Sequence, residues 1–179
     1  MHAALVLTVI GRDRPGLVEL LATLVAEHGG NWLESRMNRL GGEFAGILRL
    51  TAPAANEEPL RHAFAALADS GLTVLVRRDD TTTTAPSRVV ALQLVGADRP
   101  GIVRDISTAF ARHGANVEEL ITECVSAPMS GEPLFRASAR LALPPNCTLD
   151  QLRADLDRVA SDLLVDLDMR PVENETPRP

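Results

Sequence analysis

The sequence predicts an α+β protein built from two copies of one βαββαβ unit. Six residues, Gly11-Arg12-Asp13-Arg14-Pro15-Gly16, return almost unchanged 85 positions later as Gly96-Ala97-Asp98-Arg99-Pro100-Gly101. In each half, short apolar runs typical of strands alternate with stretches whose apolar residues recur every three or four positions, as in helices. We therefore expect domains at residues 1–79 and 88–170, a linker at 80–87 and a flexible tail at 171–179.

The first half shows each element in order. The apolar stripe that begins at Leu17 ends before Gly29, a typical helix terminus. Gly41-Gly42 separates two strand-like stretches and supplies the positive φ that a tight hairpin needs. A second helix begins near Asn56 and ends at Gly71. The predicted strands of this half cover residues 4–10, 31–40, 43–50 and 72–76.

The second half repeats this order with one difference. Strand one covers residues 89–95, Thr148 is a plausible cap of the last helix, and residues 163–169 form the last strand. Aligning Phe44 with Phe135 requires an offset of 91 instead of 85. The second hairpin therefore carries six extra residues within 125–133, and ordered loops of that length are usually functional.

Composition excludes several classes of protein. The net charge is −6, it is spread over both halves, and all 18 basic residues are arginine. Non-specific binding to nucleic acid is therefore disfavoured, and lysine-dependent chemistry is excluded. Cys124 and Cys147 lack metal-site spacing, so we expect free thiols, no metal and no cofactor. Neither a targeting segment nor a membrane span is indicated, so we expect a cytoplasmic protein.

The repeated turn has a chemistry of its own. A tight turn that leads a strand into a helix leaves backbone N–H groups pointing outward at the positive end of the helix dipole. Such a turn can hold a carboxylate or a phosphate. The alternative is a purely structural turn in which Asp caps the helix and Gly permits close packing.

A second candidate group lies where the first helix ends, in His28-Gly29-Gly30-Asn31 and His113-Gly114-Ala115-Asn116. An Asn amide oxygen could accept a hydrogen bond from an ammonium group. The His residues could equally be there because they favour the helix dipole, and the arginines of the turn could simply be solvated. The candidate ligand-binding residues are Asp13, Arg14, Gly16, His28 and Asn31 in the first half and Asp98, Arg99, Gly101, His113 and Asn116 in the second.

These two groups lie at opposite ends of one helix, so a single domain cannot bring them together. Two domains side by side could hold a zwitterionic amino acid, with its carboxylate on the turn near Gly16 or Gly101 and its ammonium group on Asn31 or Asn116. Trp32 stands where the second half has Val117, which indicates that the two sites are not equivalent. Exposed sheet edges favour a homodimer.

Other readings of a βαββαβ unit fit less well. The ferredoxin-like fold hosts unrelated functions. RNA recognition would need aromatic residues on strands one and three and a basic surface. A metal carrier would need CxxC at the first turn. No nucleophile has an adjacent base, so we expect no enzymatic activity.

The motifs Asp-Arg-Pro-Gly and His-Gly-(Gly/Ala)-Asn, each present in both halves, resemble those of the ACT domain, an amino-acid-sensing module. The tandem arrangement, with Ala127-Pro128-Met129-Ser130-Gly131 in the second hairpin, is similar to the glycine cleavage system transcriptional repressor group. That resemblance implies a regulatory protein that senses a small amino acid, glycine or serine, and contacts a transcriptional activator without binding DNA itself. The alternative is an interaction scaffold whose pockets bind no ligand.

Overall fold

The computed structural model describes residues 1–80, 88–127 and 131–172 of the 179-residue chain. The chain divides into two compact units, Met1–Thr83 and Thr84–Pro179, which we call unit 1 and unit 2. Most of the expected linker, three residues of the hairpin insertion and most of the expected tail lie outside the described residues.

Unit 1 is a four-stranded antiparallel sheet with its helices on one face. The strand order is β2-β3-β1-β4, so the first strand lies inside the sheet and β2 and β4 form its edges. Short 3₁₀ segments flank the second helix at Ala54–Asn56 and Ala66–Ser70. The main elements are β1 (His2–Arg12), α1 (Leu17–Glu27), β2 (Asn31–Leu40), β3 (Glu43–Pro53), α2 (Glu57–Ala65) and β4 (Leu72–Arg78).

Unit 2 repeats this topology with the strand order β6-β7-β5-β8. Its last helix begins at a complete capping box, in which the side chains of Thr148 and Gln151 each accept a hydrogen bond from the other residue's backbone N–H. The elements are β5 (Arg88–Ala97), α3 (Ile102–Arg112), β6 (Asn116–Ser126), β7 (Pro133–Leu143), α4 (Leu149–Leu163) and β8 (Val165–Pro171). The predicted tandem ferredoxin-like βαββαβ fold is confirmed.

Each unit has its own core between the helices and one face of the sheet. On β1, Leu5, Leu7 and Val9 are buried while the intervening residues face the other side, as the period of a strand requires. On α1, Leu17, Leu21 and Val25 are buried at intervals of four, which forms one stripe along the helix. Within the described residues of each unit, no helix covers the opposite face of the sheet.

Several strands extend beyond their predicted ranges, among them β1, β3, β4 and β5. Three further boundaries differ at the ends of helices or in the expected tail. The second helix does not run unbroken to Gly71, because α2 gives way to a 3₁₀ segment at Ala66. The last strand begins at Val165, after Leu164 adopts a left-handed conformation that ends α4. Pro171, expected in the tail, is the last residue of β8, and the N–H of Val172 still donates to the carbonyl of Val89 at 2.9 Å.

Candidate functional site

Both copies of the repeated turn have the same backbone shape. Gly16 and Gly101 are the N-cap residues of α1 and α3, with φ of 89° and 99°. This left-handed region strains any residue with a Cβ. The first helical hydrogen bonds run from Leu20 N–H to Gly16 O and from Asp105 N–H to Gly101 O. The amides between those residues precede the helical ladder and lie at the positive end of the helix, as anion binding requires.

Asp13 and Asp98 are not the N-cap residues of these helices, because Gly16 and Gly101 take that position. Instead, the backbone N–H of Asp13 donates to Gly42 O at 2.9 Å and that of Asp98 to Pro133 O at 3.0 Å. These bonds fasten each turn to the neighbouring hairpin and hold its amides in place.

The two aspartates differ in their side-chain partners. Asp13 Oδ2 lies 2.7 Å from Arg39 Nε on β2. Cys124 occupies the corresponding position on β6, because Arg39 is paired with Phe44 and Cys124 with Phe135. The Cys124 thiol hydrogen-bonds to Asp98, and its pKa is raised, first by loss of hydration and then by the negative charge of that carboxylate.

The arginines of the two turns also differ. Arg14 is exposed, whereas Arg99 Nη2 donates to the backbone carbonyl of Asp162 at 2.8 Å, near the end of α4. For Arg99, the simple solvated alternative is therefore wrong. Beside it, the pKa of Asp105 is lowered, mainly by its hydrogen bond from Arg104, while Arg99 contributes a smaller electrostatic effect.

The His and Asn candidates lie at the far end of the first helix in each unit. His28 follows α1, with Nδ1 at 2.8 Å from Leu24 O, and its carbonyl accepts a bond from Asn56 Nδ2 at 2.9 Å. Asn31 begins β2 and is exposed. Hydrogen bonds within unit 1 thus occupy polar groups at the C-terminal end of α1, while the Asn31 side chain lies at the surface.

In unit 2, His113 Nε2 lies 3.2 Å from Asp155 Oδ2 on α4. Asp155 is buried and also accepts a hydrogen bond from Arg158 Nη2 at 2.9 Å. His113 therefore packs α3 against α4. Asn116 begins β6 and is exposed, as Asn31 is in unit 1.

No single unit brings the turn and the Asn together. An 11-residue helix separates them in each unit, which corresponds to about 16 Å at 1.5 Å per residue. No group of three or more His, Cys, Asp or Glu side chains in the described parts of the chain is placed to hold a metal ion. Within those parts, too, every helix is too short or too polar to cross a membrane.

Residues 3–76 match the family model of the ACT domain, and unit 2 repeats the fold and the turn motif of that segment. Unit 1 is therefore an ACT domain. The chain is 31% identical over 121 residues to the glycine cleavage system transcriptional repressors of Escherichia coli K12 and Shigella flexneri. Each match covers 66% of this chain and 63% of the repressor, so this chain spans less than two thirds of those relatives.

Two solved structures extend the comparison to both units. An unknown protein from Galdieria sulphuraria is 30% identical, with a TM-score of 0.83 over 97% of this chain and all of that one. A candidate glycine cleavage system transcriptional repressor is 21% identical, with a TM-score of 0.71 over 97% of this chain and 99% of that one. At 21% identity, the similarity to this second structure shows only that the two chains share a fold.

The ACT fold also explains a difference between the two His-Gly-x-Asn motifs. A Cβ added to Gly30 would lie 2.9 Å from Val25 Cγ1 and 2.9 Å from its carbonyl oxygen. Ala115 takes the same position in unit 2 and is buried. The glycine in the first ACT unit is therefore a packing requirement. Trp32, two residues after Gly30, is partly buried and packs against the core of unit 1.

Sequence reasoning missed Arg39 and Cys124 as neighbours of the turn. A signal for Arg39 was present, because the Gly41-Gly42 turn fixes the register that places Arg39 opposite Phe44. The equivalent position 85 residues later is Cys124. The strand that follows the first helix thus supplies a side chain to the turn in both units, and the two units supply different chemistry.

Proposed function

We propose that this chain is a cytoplasmic, non-enzymatic regulator with two ACT domains that binds a small amino acid. We propose further that it regulates transcription of glycine and one-carbon metabolism through contacts with other proteins. ACT membership and the resemblance to the repressors support a regulatory role. The observation that carries the proposal is the repeated turn, which is fastened to a hairpin in both units through the backbone N–H of its aspartate, Asp13 or Asp98.

The ligand carboxylate would bind the amides that follow Gly16 or Gly101. Among the described residues, no heavy atom from another part of the chain lies within 4 Å of a Cβ built on Gly16, so that turn has open space above it. At Gly101, Arg104 Nη2 lies 3.2 Å from the same point. The ammonium group would bind the side-chain oxygen of Asn31 or Asn116 on a second copy of the chain, since one unit separates these groups by its helix. The resemblance to the glycine cleavage system repressors supports a small amino acid, glycine or serine, as the ligand.

Regulation would follow from the preference of the ligand for one packing of the units. A ligand shifts an equilibrium only by its difference in affinity for the two states. The states would differ in the surface offered to a partner protein, such as a transcriptional activator, and copies of the chain would form a homodimer. Asp13 and Asp98 would act by setting the local charge that the carboxylate meets.

Calorimetry with glycine and with serine on the full chain tests the proposal. Binding is expected, and Asn31→Ala or Asn116→Ala should lower the affinity at least tenfold, whereas the exposed control Asn146→Ala should not. In a thermal-shift screen, a ligand at 100 times its dissociation constant should add about 2.7 kcal/mol of stability. The absence of heat and of thermal shift with every amino acid would favour an interaction scaffold that binds no ligand.

A further inference from the structure

The sheet of unit 1 has an apolar stripe on the face that carries no helix, which we call open face 1. Ile10, Ile47 and Leu75 on this face are 50%, 54% and 51% exposed. Thr8 is paired with both Ile47 and Leu75, so these three side chains form one row across three strands, and Ile10 is the next outward residue along β1. Half-exposed apolar side chains in one continuous stripe are typical of an interaction surface.

Arginines flank this stripe on both edge strands. Arg36, opposite Ile47, lies on β2, and Arg77 lies on β4. Arg49, on β3, is held by Asp79 at 2.6 Å, and Arg36 lies 4.0 Å from Glu34 on the same strand. Glu43 also lies on this face, opposite Arg12. Open face 1 therefore has an apolar stripe, and its outward residues include four arginines, Arg12, Arg36, Arg49 and Arg77, against two acids, Glu34 and Glu43.

Unit 2 shows that the fold does not require this stripe. At the matching positions of its sheet, Ser138 replaces Ile47 and Asp168 replaces Leu75. The outward residues there, which form open face 2, retain Ile121 and Val95 as exposed apolar groups. One topology thus carries two different outer faces.

Open face 2 has the opposite balance, with more acids than arginines. Its edge strands β6 and β8 carry four acids, and two of its three arginines lie on the inner strand β7, where Arg136 is 3.7 Å from Glu123. The charged residues of open face 2 are Glu119, Glu123, Asp166 and Asp168 against Arg136, Arg140 and Arg170. Sheets packed face to face keep their strands within about 30° of each other. The edge strands of one sheet therefore lie against the edge strands of the other sheet.

The available area decides between one contact and two. Each open face has four strands spaced about 4.8 Å apart, and each strand presents about six residues at a rise of about 3.3 Å per residue, so each open face has an area of about 400 Å². One pair of faces would bury about 800 Å² in total, which is the size of a crystal-packing contact. Two pairs would bury about 1,600 Å², the standard size of a specific interface. Twofold symmetry between two copies supplies two identical pairs.

We propose that open face 1 of one chain docks on open face 2 of a second copy, and reciprocally, to form a symmetric dimer. The apolar stripe lies against Ile121 and Val95 of the partner copy, and the edge arginines lie against its edge acids. The contact uses none of the turn or Asn residues of the proposed ligand site. The contact gives a surface to the homodimer of the proposed function and rests on it, whereas ligand binding and this contact can each fail without the other.

Sedimentation equilibrium and light scattering of the full chain test the contact. The unaltered chain should have twice the 19.2 kDa of one copy. Ile47→Ser and Leu75→Asp copy residues that unit 2 already accepts at these positions, so they should preserve the fold, and together they should weaken the dimer at least tenfold. The matched control Val18→Asp, on a helix residue that is 49% exposed, should leave the mass unchanged.

Charge reversal tests the pairing of the faces. A chain with Arg36→Glu and Arg77→Glu, and a second chain with Glu123→Arg and Asp168→Arg, should each be monomeric alone and should form a dimer when mixed. A monomeric unaltered chain would overturn the proposal. So would an unchanged mass for the Ile47→Ser, Leu75→Asp chain, or loss of the dimer with Val18→Asp.

Discussion

Asp13 is bound to Arg39 at 2.7 Å, whereas Asp98, its counterpart in unit 2, is bound to the thiol of Cys124. One repeated turn therefore has two electrostatic settings. In unit 1 an arginine offsets the aspartate beside the helix-entry amides. In unit 2 the partner is a neutral thiol, so more of the negative charge of Asp98 acts on its surroundings.

The charge of Asp98 should slow the reaction of Cys124 with thiol reagents. A raised pKa lowers the fraction of thiolate, which is the nucleophile. Asp98→Asn removes the charge and should shift the pH–rate profile of Cys124 modification to lower pH. The measurement is the rate of reaction with a disulfide reagent in a Cys147→Ser background. Asp13→Asn, in unit 1, is the matched control, and an unchanged profile for Asp98→Asn would rule out the electrostatic effect.

Glu57 should make the stability of unit 1 sensitive to acid. Its buried carboxylate is bound by Arg78 Nη2 at 2.8 Å and by Arg61 Nη2 at 3.0 Å. The hydrogen bonds from Arg78, then Arg61, lower its pKa from 4.5 to about 2. Because the folded pKa lies below the unfolded one, the stabilisation is complete above pH 4.5 and is lost as the pH falls toward 2.

Urea denaturation followed by Trp32 fluorescence between pH 6 and about pH 2 measures this loss. Glu57→Gln should lower the stability near neutrality and flatten the decline in acid. Glu58→Gln is the matched control, since Glu58 is exposed and lies 3.8 Å from Arg61. Equal pH profiles for the Glu57→Gln variant and the unaltered chain would contradict the prediction.

The capping box of α4 should stabilise unit 2. The backbone N–H of Gln151 donates to Thr148 Oγ1 at 3.3 Å, and that of Thr148 donates to Gln151 Oε1 at 3.1 Å. Thr148→Ala leaves one of the helix-entry amides without its partner and should cost about 1 kcal/mol. Circular dichroism during urea denaturation measures the change. Thr148→Ser keeps the hydroxyl and should restore most of the stability; if both variants behave alike, the cap bond is not the cause.

The sequence predicts those features of this protein that depend on neighbouring residues. Gly41-Gly42 fixes the first hairpin, and Thr148 marks the start of α4. Contacts between distant segments could not be predicted, because they require knowledge of which strands and helices meet. Arg99 reaches the carbonyl of Asp162, 63 residues away. The bond between Asp98 and Cys124 likewise depends on how β6 lies beside the turn. The ligand roles of the turn and of Asn31 and Asn116 stay predictions.

Gly30 should tolerate no larger residue, because α1 and β3 approach its backbone. A Cβ there would meet Val25 Cγ1 and Val25 O, both at 2.9 Å, and Thr51 O at 3.2 Å. Overpacking of this kind typically costs 1–3 kcal/mol, so Gly30→Ala should destabilise unit 1 by about 2 kcal/mol. Thermal and urea denaturation followed by the fluorescence of Trp32 measure the effect.

A second variant separates the side-chain conflict from the backbone conflict. Val25→Ala removes the flexible part of the obstacle but leaves the carbonyl oxygen of residue 25 in place. The double variant Gly30→Ala, Val25→Ala should therefore recover only part of the loss caused by Gly30→Ala, measured against Val25→Ala alone. Full recovery would show that the side chain alone excludes alanine. A neutral Gly30→Ala would show that the neighbouring backbone can move apart to admit a Cβ, and would contradict the prediction.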